Sequence, residues 1–228
     1  MLTDYHSHIL PGIDDGSRNV EMSLKMIQML KEQGVERIAA TPHFYAHREG
    51  SVEAFLQKRQ HAFEKLMQAQ PAIDNIILGA EISIERDISE LEGIDKLAYQ
   101  GTNYILLEFP YTGFHGWMCE EIDNIAYHFG LVPVIAHPHR YLDDFSKEQI
   151  EKILSLNAVF QFNIEAFETH FTRKFVKSVI GSGSDFVFGS DCHNTKERKP
   201  NFDLLLKKAK PEWIEQSDAM LDSTDREY

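Results

Sequence analysis

Apolar segments of strand length alternate with amphipathic segments of helix length along almost the whole chain. This alternation limits the fold more than any single residue does. The first apolar stretch, residues 3–10, runs into a turn-rich loop at 11–17. Val20, Leu24, Ile27 and Leu30 then share one face of a helix expected over 19–33, and Gly34 ends it. Further strands are expected at 35–41, 76–83, 104–109, 131–136, 159–164 and 186–190. The helices between them fall at 52–68, 88–99, 116–129, 147–156 and 173–180. Seven strand–helix units predict an α/β chain with a parallel sheet, and seven in one short domain favour closure into a barrel. A doubly wound open sheet is the alternative, because the alternation does not reveal strand order.

Composition narrows the class. With 228 residues and 43% hydrophobic content, residues 1–228 can bury one substantial core as a single domain. No apolar run approaches the roughly 18 residues of a membrane span. Polar ligand-type residues start at Asp4 and no basic region precedes an apolar core, so no signal peptide is expected. Two cysteines, Cys119 and Cys192, make no disulfide framework, and a cytoplasmic setting is expected. A net charge of −13 argues against nucleic acid as a partner, since phosphates select basic surfaces.

The polar residues favour the barrel. All but one of the expected strands carry a His, Asp or Glu at or just beyond the C-terminal end, the face on which parallel barrels gather their active sites. His6 and His8 lie at i and i+2 in an extended segment, so both imidazoles can point to one side. Asp191 and His193 repeat that spacing near the far end. With Asp15, His43, Glu81, Glu108 and His137 they make nine nitrogen and oxygen donors, more than one metal ion needs. Imidazole and carboxylate together suit two or three ions of Mn²⁺, Fe²⁺ or Zn²⁺, and the scarcity of cysteine argues against a thiolate zinc site. Ordinary structural roles compete with each assignment: His6 and His8 can serve as core histidines. That competitor is weakest for Glu81 and Glu108, because an unpaired carboxylate in an apolar strand is costly. His47, His61, His115, His128, His139 and His170 are left out of the set, with His61 and His128 expected on solvated helix faces.

Taken in order, His6-Ser7-His8, Asp15-Gly16, Thr41-Pro42-His43, Gly79-Ala80-Glu81, Glu108-Phe109, His137-Pro138-His139-Arg140-Tyr141 and Ser190-Asp191-Cys192-His193-Asn194 resemble the polymerase and histidinol phosphatase (PHP) superfamily. Within it they are most similar to the bacterial metal-dependent tyrosine-protein phosphatases of capsule and exopolysaccharide operons. The resemblance implies a distorted seven-stranded βα barrel with three metals, usually manganese. It implies a first metal on His6, His8, Glu81 and Asp191, a second on Glu81, Glu108 and His137, and a third on Asp15, His43 and His193. Arg140 and Arg198 match the family's phosphate-binding arginines. The implied reaction is hydrolysis of protein phosphotyrosine by metal-activated hydroxide, with a self-phosphorylating tyrosine kinase of polysaccharide export as partner. His139 departs from the pattern, since relatives commonly carry glutamate there, and the segment after Lys210 matches poorly. The competing functions are a small-molecule phosphatase, such as one for histidinol phosphate, and a catalytically silent binding module. Phe44, Tyr45 and Trp117 are candidates for an aromatic rim.

Cys192 and Arg198 also stand at the Cys-x5-Arg spacing of cysteine-dependent tyrosine phosphatases. That chemistry needs a glycine-rich loop whose amides surround phosphate and lower the thiol pKa. The residues between them here are His193-Asn194-Thr195-Lys196-Glu197, without glycine. Alternation also turns Cys192 away from the side shared by Asp191 and His193. The cysteine is expected to be a bystander.

Overall fold

A computed structural model describes residues 1–220. Its strands are β1 (Leu2–Ser7), β2 (Val35–Ala40), β3 (His43–Phe44), β4 (Ile76–Leu78), β5 (Glu81–Ser83), β6 (Tyr104–Glu108), β7 (Val132–Ala136), β8 (Val159–Asn163) and β9 (Phe186–Gly189). All paired strands are parallel, in two ladders of order β1-β2-β4 and β3-β5-β6-β7-β8-β9. β2 and β3 are two halves of one strand broken at Thr41-Pro42, and β4 and β5 are halves of another broken at Gly79-Ala80. Two bonds cross the breaks, Gly79 N–H to Ala40 O at 2.9 Å and Glu81 N–H to Pro42 O at 3.0 Å. At the other edge, Asp191 N–H donates to His6 O at 2.7 Å and His8 N–H to Cys192 O at 3.0 Å. The ring therefore closes in sequence order as a seven-stranded barrel, which rules out the doubly wound sheet.

The pleat sorts side chains between the inside of the ring and its helical shell. Tyr104 and Leu106 of β6 pack with Val134 and Ala136 of β7, Val159 and Val187. Their neighbours Ile105, Leu107, Ile135, Phe160, Phe162, Phe186 and Phe188 belong to the larger core under the helices. Following the inner face up each strand, Tyr104 and Leu106 lead to Glu108, Val159 to Gln161 and Asn163, and Val187 to Gly189 and Asp191. Its base is apolar and its top polar, so the site sits on the C-terminal end of the barrel.

The shell helices are α1 (Val20–Glu32), α2 (Ala46–Glu49), α3 (Val52–Gln68), α4 (Trp117–Phe129), α5 (Lys147–Leu154), α6 (His170–Gly181), α7 (Phe202–Lys208) and α8 (Pro211–Asp218). Polar caps set several starts: Asn19 accepts from Met22 N–H at 2.9 Å, and Ser146 with Gln149 forms a capping box on α5. The helix expected over 88–99 is instead two 3₁₀ turns, Ile88–Glu90 and Ile94–Leu97. Asp87 and Gly93 precede them in left-handed conformation, at φ 61° and 81°, and neither turn extends into an α-helix. The Glu121 carboxylate accepts from the N–H groups of Asp87 and Ser89, both at 3.0 Å. α8 closes the base of the barrel: Asp218 accepts from Thr3 N–H at 2.8 Å and Ser217 Oγ from Phe188 N–H at 3.0 Å.

Candidate metal centre

All nine expected donors reach the C-terminal end of the barrel, and they converge. His6 Nε2 lies 3.1 Å from Glu81 Oε2 and 3.5 Å from Asp191 Oδ1; His8 Nε2 lies 3.2 and 3.3 Å from the same two atoms. These four side chains form one group whose donor atoms all fall within 4.8 Å of one another. His43, Glu81 and Glu108 form a second group, and His8, Asp15, His43 and His193 a third. His137 Nε2 joins the second at 2.9 Å from Glu81 Oε1 and 3.5 Å from Glu108 Oε1. His43 faces two groups, with Nδ1 3.1 Å from Glu81 Oε2 and Nε2 3.5 Å from Asp15 Oδ1. His193 Nε2 stands equally far from Asp15, at 3.5 Å.

Buried atoms with no hydrogen-bond partner mark the centre: Glu81 Oε2, Asp191 Oδ1, His43 Nδ1 and His193 Nε2. Orphaned buried acceptors are costly, and here they point at one another. A divalent cation satisfies this donor set, so the residues fit two to three such ions. The backbone is strained at two of them. His137 and Asp191 adopt φ 31° and 51°, a conformation that non-glycine residues hold only under constraint and that clusters at functional sites.

The electrostatics have the same origin. Burial and the Glu81 and Asp191 carboxylates push Glu108 up to about 9. Burial works to raise Glu81 as well, but His6, His43 and His137 hold it well below the carboxylate range. Burial lowers His137 to about 4, leaving its imidazole neutral as a metal ligand requires. Burial opposes charge on Arg140, yet Asp191 and Glu165 raise it above the usual guanidinium range.

A supporting layer escaped the sequence reading. Asp14 Oδ2 lies 2.7 Å from His8 Nδ1 and accepts from His43 N–H at 3.0 Å. Gln161 Oε1 stands 3.0 Å from His6 Nδ1 and accepts from His137 N–H at 3.1 Å; Gln161 in turn donates to Asn163, and Asn163 to Asp191 Oδ2 at 2.9 Å. Such partners orient ligand imidazoles and raise their basicity. Arg140 and Arg198 meet Asp191 Oδ2 at 2.7 and 2.8 Å, and Arg140 is also held by Glu165 at 2.6 Å. Gln161 and Asn163 alternate with Phe160 and Phe162 in an apolar strand, the same signal that singled out Glu81 and Glu108.

The remaining histidines stay outside the three groups. His61, His128 and His170 are exposed, His47 pairs with Glu85 at 3.0 Å, and His115 stacks on Trp117. His139 is buried 3.8 Å from Glu165. Two of the aromatic-rim candidates lie elsewhere: Phe44 is core packed on Phe55, and Trp117 carries the Arg86 guanidinium at 4.6 Å without lining the cleft. Tyr45 does line it, and so does Tyr111, which the sequence reading missed. Cys192 is fully buried, and burial raises its thiol pKa far above that of a nucleophile.

Comparisons with known proteins agree with this geometry. Tyrosine-protein phosphatase CpsB of Streptococcus pneumoniae is 27% identical over 229 residues, covering 91% of this chain and 90% of the relative. Tyrosine-protein phosphatase YwqE of Bacillus subtilis is 31% identical over 143 residues, 61% of this chain and 55% of the relative. Crystal structures of YwqE and CpsB, described as unique metal-dependent tyrosine phosphatases, include a chain that superposes with a TM-score of 0.78 at 23% identity. That match covers 98% of this chain and 96% of the other, and a TatD-like protein of Archaeoglobus fulgidus shares the fold more distantly, at TM-score 0.52. The family model for capsular polysaccharide synthesis, CpsB/CapC, matches residues 2–217 and so runs past Lys210 into α8. With nearly its whole length matched, the chain belongs to the CpsB/CapC family of capsular polysaccharide synthesis.

Proposed function

We propose that this chain is a metal-dependent phosphatase acting on phosphotyrosine in proteins. The convergence of nine imidazole and carboxylate donors carries the reading; six of them line one cleft of about 310 Å³ together with Arg140 and Arg198. Relatives named tyrosine-protein phosphatases, one aligned over 91% of the chain, favour phosphotyrosine over small phosphomonoesters. The metals are two or three ions held by His6, His8, Asp15, His43, Glu81, Glu108, His137, Asp191 and His193. Manganese is the proposed ion, with Fe²⁺ and Zn²⁺ compatible with the donors. The proposed partner is a self-phosphorylated tyrosine kinase that regulates exopolysaccharide synthesis. Among the described residues no helix is long and apolar enough to cross a membrane.

Bound divalent ions supply a water of lowered pKa and positive charge beside the phosphoryl oxygens. Arg140 and Arg198 are the substrate-binding and catalytic side chains: their guanidiniums bind the non-bridging oxygens and neutralise charge that grows in the transition state. Asp191 Oδ2 keeps both arginines beside the donor atoms. Glu165 fixes Arg140 from the other side. The tyrosine phenolate, with a pKa of about 10, leaves with little help from a general acid.

The test is turnover of a phosphotyrosine peptide with Mn²⁺, with and without chelator. Chelation is expected to abolish activity, Arg140→Ala to lower kcat/KM on the order of a hundredfold, and Cys192→Ser to retain most of it. Preference for histidinol phosphate over the peptide would reject the protein-phosphatase reading. Absence of both bound metal and aryl-phosphate turnover would instead favour a silent binding module.

A further inference from the structure

We propose that Tyr111 and Tyr45 form the two walls of an aryl slot above the phosphate site, which selects esters by the ring attached to the phosphate oxygen. The inference rests on the phosphotyrosine reading and identifies the residues that enforce it. Beyond the donors and the two arginines, the cleft is lined by Tyr45, Ser83, Pro110 and Tyr111. An ester leaving the arginines therefore meets two phenol rings, a proline ring and the Ser83 hydroxyl. Most of that added lining is ring surface, against which a flat aryl group buries more area than a sugar or glycerol can.

Each wall is held differently. Tyr45 follows His43 at the end of β3; its ring stacks on His43 at 5.3 Å and 30°, and the Arg48 guanidinium covers it at 4.6 Å. Tyr111 lies on the loop after β6, beyond Phe109, which is buried and whose N–H donates to the Tyr141 hydroxyl at 3.1 Å. The chain is thus anchored just before Tyr111, yet Tyr111 remains 53% exposed, its ring centroid 6.1 Å from that of Tyr141. Its hydroxyl faces Arg140, so the ring stands next to the group that receives phosphate.

The measurement uses two non-hydrolysable probes, phenylphosphonate and methylphosphonate, whose Kd values on the manganese-loaded protein are read by calorimetry. Wild-type protein is expected to bind the phenyl probe about tenfold tighter or more, an order typical of an aromatic pair with its buried area. Tyr111→Ala should erase most of that preference without weakening methylphosphonate or changing bound metal, and Tyr111→Phe should keep it. A phenyl preference that survives in Tyr111→Ala, or that is absent from the wild type, overturns the slot. Loss of affinity for both probes alike in Tyr111→Ala overturns it too, because the ring would then act through Arg140. Failure of phosphotyrosine turnover is read separately, in the peptide assay, and removes the substrate assignment.

Discussion

Asp191 divides its carboxylate between two tasks. Oδ1 faces His6, His8 and His193, while Oδ2 takes hydrogen bonds from Asn163 and Arg198 and an ion pair from Arg140. One residue thus ties the cluster of candidate metal donors to the two arginines of the cleft. Asp14 does comparable work for His8, its Oδ2 shared with the His43 N–H and its Oδ1 with the Gly16 N–H at 2.9 Å. Replacing it by asparagine keeps the size but removes the charge that supports the imidazole. Asp14→Asn is expected to weaken metal affinity by about 10–100-fold, measured by metal titration of the purified protein. Unchanged affinity would show that Asp14 only shapes the loop. The donors were legible because His, Asp and Glu at strand ends have few structural uses. Asp14 was not: beside Asp15 it looks like an ordinary loop aspartate, and only the fold reveals which one supports a histidine.

Strands carry the site because their inner faces change character part-way up. Gly189 marks one such change, between Val187 in the packed base and Asp191 at the top. A Cβ there would come within 2.6 Å of His6 Cβ and 2.7 Å of His6 N. Gly189→Ala is therefore expected to cost about 1–3 kcal/mol of stability and to displace His6, lowering both thermal stability and metal content. An unaltered melting temperature would mean that β1 and β9 can separate without penalty. α8 has a different dependence. Burial raises Asp218 to about 6, against 3.8 for the unperturbed group, despite its bond from Thr3 N–H. The folded state thus holds this proton more tightly than the unfolded chain does. The Asp218 contribution to stability is greatest below pH 4 and falls as pH rises towards 6. Asp218→Asn keeps an acceptor for Thr3, so it should match the wild type near pH 4 and be more stable near pH 8 in denaturant titrations. Equal stability at both pH values would remove Asp218 from the linkage. Helix and strand periods revealed most elements within a few residues. They failed over 88–99, where an apolar pattern of helical length hides left-handed turns at Asp87 and Gly93.

At the scale of the molecule, the centre joins the two ends of the described chain. His6 comes from β1 and His8 from just beyond it, Asp191 and His193 from just beyond β9, and the two backbones meet through bonds such as Asp191 N–H to His6 O. Alternation suggested a barrel, but closure depends on that long-range pairing and so could not be read from local pattern. Under the proposed metal-dependent reading, cations held across the seam would bind the folded chain and find no comparable site in the unfolded one, so their binding would add directly to folding stability. They also relieve the mutual repulsion of Glu81, Glu108 and Asp191, which with burial raises Glu108 to about 9. At about 100 times Kd, one ion contributes about 2.7 kcal/mol. For a chain of this size, each kcal/mol moves the melting temperature by roughly 2–4 °C, so a rise of about 5–11 °C is expected on adding Mn²⁺ to stripped protein. Chelator should reverse it. Mg²⁺ at the same concentration should do much less, since it prefers oxygen donors and parts reluctantly with its waters. Differential scanning calorimetry decides: no shift with Mn²⁺, Fe²⁺ or Zn²⁺, or an equal shift with Mg²⁺, would mean that the imidazole–carboxylate cluster is not a site for such ions.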